Sequence, residues 1–167
     1  MNQNDTTPIS LFDEIKIQTK VLVPLLRKMR KELGKQKADD LLGEALRQHV
    51  RETYHKIGKR KSGSPMEKWR KVWDEIRPRI GDDVERDILR DDDTGRIYNV
   101  NRCKFADFFR ELGEPELGTM LMCDFDYYIA EIGAPVVELT RTQTIMEGAD
   151  HCDFCYRFRA DRKDKVV

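Results

Sequence analysis

The four cysteines, at positions 103, 123, 152 and 155, all fall within the last 65 of the chain's 167 residues. Other reactive side chains gather near them. Cys123 precedes Asp126 by three positions, and Cys152 is flanked by His151 and Asp153, with Arg141 and Gln143 shortly before. Thiols supply nucleophiles, imidazoles and carboxylates relay protons, and a guanidinium grips an anion in a two-pronged contact. These residue types mark the C-terminal half as the working end, around Cys123, Asp126, Arg141, His151 and Cys152. His49 and His55 lie on a charged helical stretch and read as surface residues.

The spacing C-x19-C-x28-C-x2-C lacks the rhythm of paired zinc knuckles. A mixed zinc site from Cys123, Asp126, His151 and Cys152 is chemically allowed, but the expectation is a protein that needs no cofactor. Cys152 and Cys155 fall on an expected strand, where residues three apart face opposite ways. They are therefore not read as a redox dithiol.

Helices followed by β-structure must position these groups. Ser10 caps a first helix that carries Leu11, Ile15, Leu22, Leu25, Leu26, Met29 and Leu33 at helical spacing. Pro24 should kink or split it, and Gly34 should end it. A second helix is expected from Lys37 to Ile57, with Leu41, Leu42, Ala45, Leu46 and Val50 on one face and Gly58 as its stop. Residues 59–64 (KRKSGS) read as a linker, and Ser64-Pro65 opens a third helix that ends at Arg77-Pro78. Trp69 and Trp73, one turn apart on it, should face a core.

The acidic block 82–93 reads as a solvated face, closed by a turn at Asp91–Gly95. Beyond it come a short strand at 96–101, a helix at 103–112 and a longer helix at 115–132. A hairpin of strands 136–147 and 152–159, joined by a turn at Gly148–His151, completes the chain. The division is an N-terminal helical segment, 1–63, and an α+β ligand-binding part, 64–167, together forming one compact unit. The fold class is α+β, with N-terminal helices packed with a C-terminal antiparallel sheet.

Two geometric consequences follow. On a helix, Cys123 and Asp126 project from one face. In the hairpin, setting Glu147 opposite Cys152 puts Arg141, Gln143, Ile145, Cys152, Phe154, Tyr156 and Phe158 on one face, with Cys155 on the other. Such a wall suits a small polar molecule with a flat or apolar part. The plainer alternative makes Arg141 an exposed strand residue and Cys152 a small buried hydrophobe.

Hydrophobic residues make up 39% and charged residues 37%, with 31 Lys+Arg balancing 31 Asp+Glu. No bulk field favours nucleic acid or a membrane surface. No apolar run nears the roughly 20 residues needed to span a bilayer. Met1–Thr7 lack a basic-then-apolar signal pattern, so a cytoplasmic location with reduced thiols is expected. The two basic amphipathic helices should pack on the sheet or mediate homo-oligomer formation.

The text of the C-terminal half is itself distinctive. Leu139–Tyr156 reads LTRTQTIMEGADHCDFCY, Tyr98–Gly118 reads YNVNRCKFADFFRELGEPELG, and Cys123–Asp126 reads CDFD. These three blocks resemble the L-2-amino-thiazoline-4-carboxylic acid hydrolase family over roughly Tyr98 to Arg157, and more loosely over the helical N-terminal part. One departure is that Cys155 stands where the family's ending resembles CDF-Arg-Tyr-Arg. The resemblance implies hydrolysis of a small cyclic amidine or thiazoline bearing a carboxylate, a reaction at non-peptide C–N bonds that gives an N-carbamoyl amino acid. It casts Cys152 or Cys123 as nucleophile and His151, with Asp126 or Asp153, as proton carrier. Arg141, with Gln143, Asp153 and Tyr156, would hold the substrate. A weaker similarity to vinyl-reductase-type small-molecule-binding domains implies the alternative of a ligand sensor without turnover.

Overall fold

The computed structural model describes residues 9–159, so Met1–Thr7 lie outside it. Helix α1 (Leu11–Leu33) starts where the Ser10 hydroxyl accepts the Asp13 amide N–H at 3.1 Å, and it ends at Gly34, whose φ is +82°. Pro24 does not split it. The Pro24 ring faces solvent while Val23 and Leu26 beside it are buried, and that packing outweighs one lost backbone bond. Helix α2 (Lys35–Lys59) continues through Gly58 instead of stopping there. A Cβ at Gly58 would lie 2.8 Å from Ile132, so this glycine serves a close helix crossing. Of the apolar face expected on α2, Leu42 is buried and Leu46 and Val50 half-buried, whereas Leu41 and Ala45 are exposed.

Helix α3 (Pro65–Ile80) begins with a reciprocal cap between Ser64 and Glu67 and runs past Pro78, because Ile80 as well as Ile76 is drawn into the core. Trp69 and Trp73 on it are buried, as their spacing requires. The acidic block is not a solvated helix face: most of it is strand β1 (Val84–Asp92). It pairs with β2 (Gly95–Cys103), turning at Asp93-Thr94, where the Asp92 carboxylate accepts the Thr94 and Gly95 amides. After β2 come α4 (Lys104–Glu111), α5 (Pro115–Gly118), a wide turn at Thr119–Cys123, and α6 (Phe125–Ile132). The single helix expected over 115–132 is therefore interrupted. The Asp124 amide reaches back five residues to the Thr119 carbonyl, at 2.9 Å.

Strand β3 (Val137–Thr140) and strand β4 (Cys152–Phe158) complete a four-stranded antiparallel sheet in the order β1-β2-β4-β3. The expected long hairpin strand is cut short after Thr140. The Asp153 carboxylate accepts the amides of Thr142 and Gln143, each at 2.9 Å, and the Thr142 hydroxyl at 2.6 Å. Those bonds pull the chain off the ladder into a loop over 141–151. Pairing Thr140 with Cys155 shifts the register by four residues from the one expected. Four is even, so the paired residues of β3 and β4 keep their predicted faces, while Gln143 and Ile145 leave the ladder with the loop.

The inner face of the sheet carries Tyr98, Val100, Cys152, Phe154 and Tyr156, all buried under the helices that include α3 and α6. Its outer face is not covered in this way, and half-buried Cys155 lies there between Ile97 and Thr140. Helices α1 and α2 pack on α3 and α6 rather than on the sheet, and Phe12 of α1 meets Phe105 and Phe108 of α4 edge-on. Glu114, only 2% exposed, fastens α1: it accepts from Arg27 Nε at 2.9 Å and Arg30 Nη1 at 2.6 Å, and Arg30 Nε donates in turn to Asp39 of α2 at 2.6 Å. Among the described residues no helix is long and apolar enough to cross a membrane.

Candidate functional site

Between the inner sheet face and the helical layer lies a cavity of about 70 Å³. Its polar and sulfur-bearing walls are Cys103, Cys123, Asp126, Arg141 and Cys152, with Arg86 at one side; the remainder is apolar, including Trp73, Phe105, Phe125 and Phe154. At roughly 10–15 Å³ per water-sized occupant, the space suits a few waters or one small ring. A wider groove of about 510 Å³ runs among α1, α2 and α3. It is mainly aliphatic, and its charged pair, Glu14 with Arg79, is already joined.

Asp126 organises the cavity. It is 6% exposed, and it is paired with Arg141, whose Nη1 donates to Asp126 Oδ2 at 2.9 Å. Arg141 Nη2 donates to the Cys123 carbonyl at 3.0 Å, and its guanidinium stacks over Tyr127 and Phe154, each at 5.1 Å. Arg141 is thus neither an exposed strand residue nor an unoccupied anion fork. Burial pushes the Asp126 carboxyl up to about 6, against the opposing pull of Arg141. Burial also pushes up all three cavity thiols: Cys103 to about 11, Cys152 above its ordinary value, and Cys123 well above it. Arg141 opposes this at Cys123 and Cys152 without overcoming it. The Cys152 sulfur accepts the Ile145 amide at 3.2 Å, which fixes the loop as one wall.

Of the residues singled out from sequence, the structure brings Cys123, Asp126, Arg141 and Cys152 to one cavity. The other four lie elsewhere. The Gln143 amide nitrogen donates to the His151 carbonyl at 3.2 Å and touches its ring, which ties the two together within the loop. Asp153 holds the loop start, as above. Tyr156 stacks behind Tyr98 and belongs to a neighbouring chamber. Among the described residues no three His, Cys, Asp or Glu side chains come together in a way that could hold a metal ion.

Three residues were missed. Cys103 closes β2 and its thiol faces the cavity, although its position after a strand carried no signal of this. Arg86 and Trp73 also line the cavity. Only recognition of β1 would have brought Arg86 beside Val100 on the inner face.

A family model described as L-2-amino-thiazoline-4-carboxylic acid hydrolase matches residues 14–156. No curated protein matches the chain. Among solved structures, a crystal structure of the phenol-responsive sensory domain of the transcription activator PoxR with phenol is similar, at 13% identity and a TM-score of 0.46. The match covers 84% of this chain and 74% of that one.

Proposed function

The chain belongs to the L-2-amino-thiazoline-4-carboxylic acid hydrolase family, and on that premise we propose that it opens a small cyclic amidine carboxylate of the 2-amino-thiazoline-4-carboxylate type. The observation that carries this reading is the buried Asp126, raised to about 6, facing a ring-sized cavity beside Cys123 and Cys152. A carboxylate titrating near neutrality is matched to proton transfer at working pH.

The reaction adds water to the amidine carbon, and to reach an N-carbamoyl cysteine the bond that breaks is ring carbon–sulfur. Sulfur leaves as a thiol and both C–N bonds of that carbon are retained, so the bond cleaved is C–S and not the non-peptide C–N bond that the resemblance implied. Asp126 takes the proton of the attacking group, either a water or the Cys123 thiol one helical turn away. The protonated carboxyl, or the neutral Cys152 thiol, then returns a proton to the departing sulfur. On the water route the second water proton passes to the ring nitrogen as the C=O bond forms. On the thiol route an isothiourea is left on Cys123; a water whose proton Asp126 takes hydrolyses it, and Cys123 leaves as a thiol with that proton. Arg141 positions Asp126 and balances its charge. A cytoplasmic setting, which keeps the thiols reduced, goes with this chemistry.

A second reading, a small-molecule sensor without turnover, is favoured by one observation: the cavity thiols are held neutral by burial, so none is a ready nucleophile. Incubating the protein with 2-amino-thiazoline-4-carboxylate and following the ring-opened product by mass spectrometry separates the two. Turnover lost in Asp126→Asn supports the hydrolase. Loss in Cys123→Ala as well assigns attack to the thiol, whereas its retention assigns attack to water. Saturable binding with no product supports the sensor.

A further inference from the structure

A second chamber, also about 70 Å³, adjoins the thiol-lined cavity, and Trp73, Arg86 and Tyr98 form walls of both. Trp69, Arg77, Arg96 and Tyr156 complete it. Its chemistry is different. Trp69, Trp73 and Tyr156 are 4%, 6% and 1% exposed, yet the two indole N–H groups and the Tyr156 hydroxyl have no hydrogen-bond partner. The neighbouring Tyr98 hydroxyl perturbs that of Tyr156 without a bond of good geometry. Arg96 Nε is buried without a hydrogen bond, and its carboxylate neighbour, Asp91 Oδ2, lies 3.5 Å from it as a loose ion pair. Arg77 has only a distant partner, Asp74 at 3.9 Å, and among the described residues Arg86 makes no ion pair.

Native interiors rarely leave one buried donor unpaired, because each costs about 1–3 kcal/mol. Here two indole N–H groups and a hydroxyl around one small space are unpaired, and Arg96 Nε has only the loose contact with Asp91. Indole and guanidinium nitrogens donate and cannot accept, and a space walled mainly by donors fits an acceptor-only, negatively charged group. Three arginines against two loosely held aspartates supply the matching charge. In the thiol cavity Arg141 is already balanced by Asp126, and the other arginine there is Arg86 on the shared wall.

We propose that this chamber binds the carboxylate of the ligand, through Trp69, Trp73, Arg96 and Tyr156 with Arg77 and Arg86 at its rim, while the uncharged ring occupies the thiol-lined cavity next to it. The choice of a ring carboxylate rests on the hydrolase reading; the donor chamber does not. The division of labour gives Arg141 the positioning of Asp126 and moves anion recognition to α3 and β2.

The test is calorimetric titration of the full chain with 2-amino-thiazoline-4-carboxylate and with its carboxamide. Trp73→Phe keeps an aromatic ring, though a smaller one, and removes the N–H. Arg96→Gln removes the charge, and Arg86→Gln does so at an exposed strand position where folding is not at stake. Each variant is expected to bind the carboxylate about tenfold more weakly, the scale of one charged hydrogen bond. Carboxamide binding should stay within twofold of wild type. Unchanged carboxylate affinity in all three variants, equal losses for both ligands, or no carboxylate binding by the wild type would overturn the inference; the donors would then be serving water alone. Charge-selective losses in a protein that never releases ring-opened product keep the chamber and reject the hydrolase. Turnover with unchanged KM in all three variants does the reverse.

Discussion

Asp126 is held in a tension that makes it measurable. Burial favours its neutral form, Arg141 favours its charged form, and burial wins in part, which leaves the group near 6. A carboxyl raised in the native state binds protons more tightly there than in the unfolded chain. Stability attributable to it is therefore greatest below about pH 4 and falls as pH climbs to 6, by on the order of 2–3 kcal/mol. The stability difference between Asp126→Asn and wild type, measured by urea unfolding from pH 4 to 7, should shift in the variant's favour over that window and then level off. A constant difference would mean that Arg141 and Arg86 cancel the upward push of burial and of Asp124. If Asp126 is the base, turnover by the wild type should rise through pH 6, and Asp126→Asn should lose that rise. Cys155→Ala should keep wild-type turnover, because that thiol points to the outer sheet face away from Cys152. A loss as large as that of Cys152→Ala would contradict the assigned faces. The cluster was legible because helical spacing joins Cys123 to Asp126, and because the faces of Arg141 and Cys152 depend only on whether a register is odd or even. The place of His151 was not, since it depends on loop length, and the Asp153 hydrogen bonds that set that length leave no pattern in hydropathy.

Elements, rather than residues, decide the shape of the cavity. Its loop wall, Ile145 and Met146, is pressed against α5 at Gly118, where a Cβ would lie 2.5 Å from Met146 Sδ and 2.7 Å from a Phe109 ring carbon. Gly118→Ala should cost about 1–3 kcal/mol by overpacking, read from chemical unfolding, and should weaken ligand binding through a displaced Met146. Unaltered stability would show that Met146 can swing aside freely. The wide turn at Thr119–Cys123 inserts an extra residue just before α6 and so sets how Cys123 meets the cavity. Sequence spacing read straight through this turn, because nothing in the apolar pattern marks a five-residue hydrogen bond. Strand β1 escaped notice for the opposite reason. It is a mostly exposed edge strand with bulges and many charges, and its VERDILRDD lacks the alternation that buried strands show.

At the scale of the whole molecule, the α+β class and the order of helices before sheet were readable from caps, glycines and periodicity. The layering was not. Helices α1 and α2 seemed fit to cover the sheet, yet α3 and α6 already cover its inner face, and α1 is fastened through Arg27 and Arg30 to Glu114. A lone glutamate after Gly113 announces no such role. Glu114→Gln should cost about 1.5 kcal/mol, the scale of one charged hydrogen bond, since Arg30 and Arg27 lose a charged acceptor while Arg30 keeps Asp39 at 2.6 Å. A change below about 0.5 kcal/mol, the range of ordinary surface substitutions, would show that the clip is ornamental. The claim on which the account turns is that a small ligand occupies the space between Cys123 and Cys152. Site-resolved alkylation with and without saturating 2-amino-thiazoline-4-carboxylate, quantified by mass spectrometry, measures this directly. The account predicts that the ligand slows labelling of Cys123 and Cys152 and leaves Cys155 unchanged. Equal protection of Cys155, or no protection of Cys123 and Cys152 by a ligand that demonstrably binds, would contradict it.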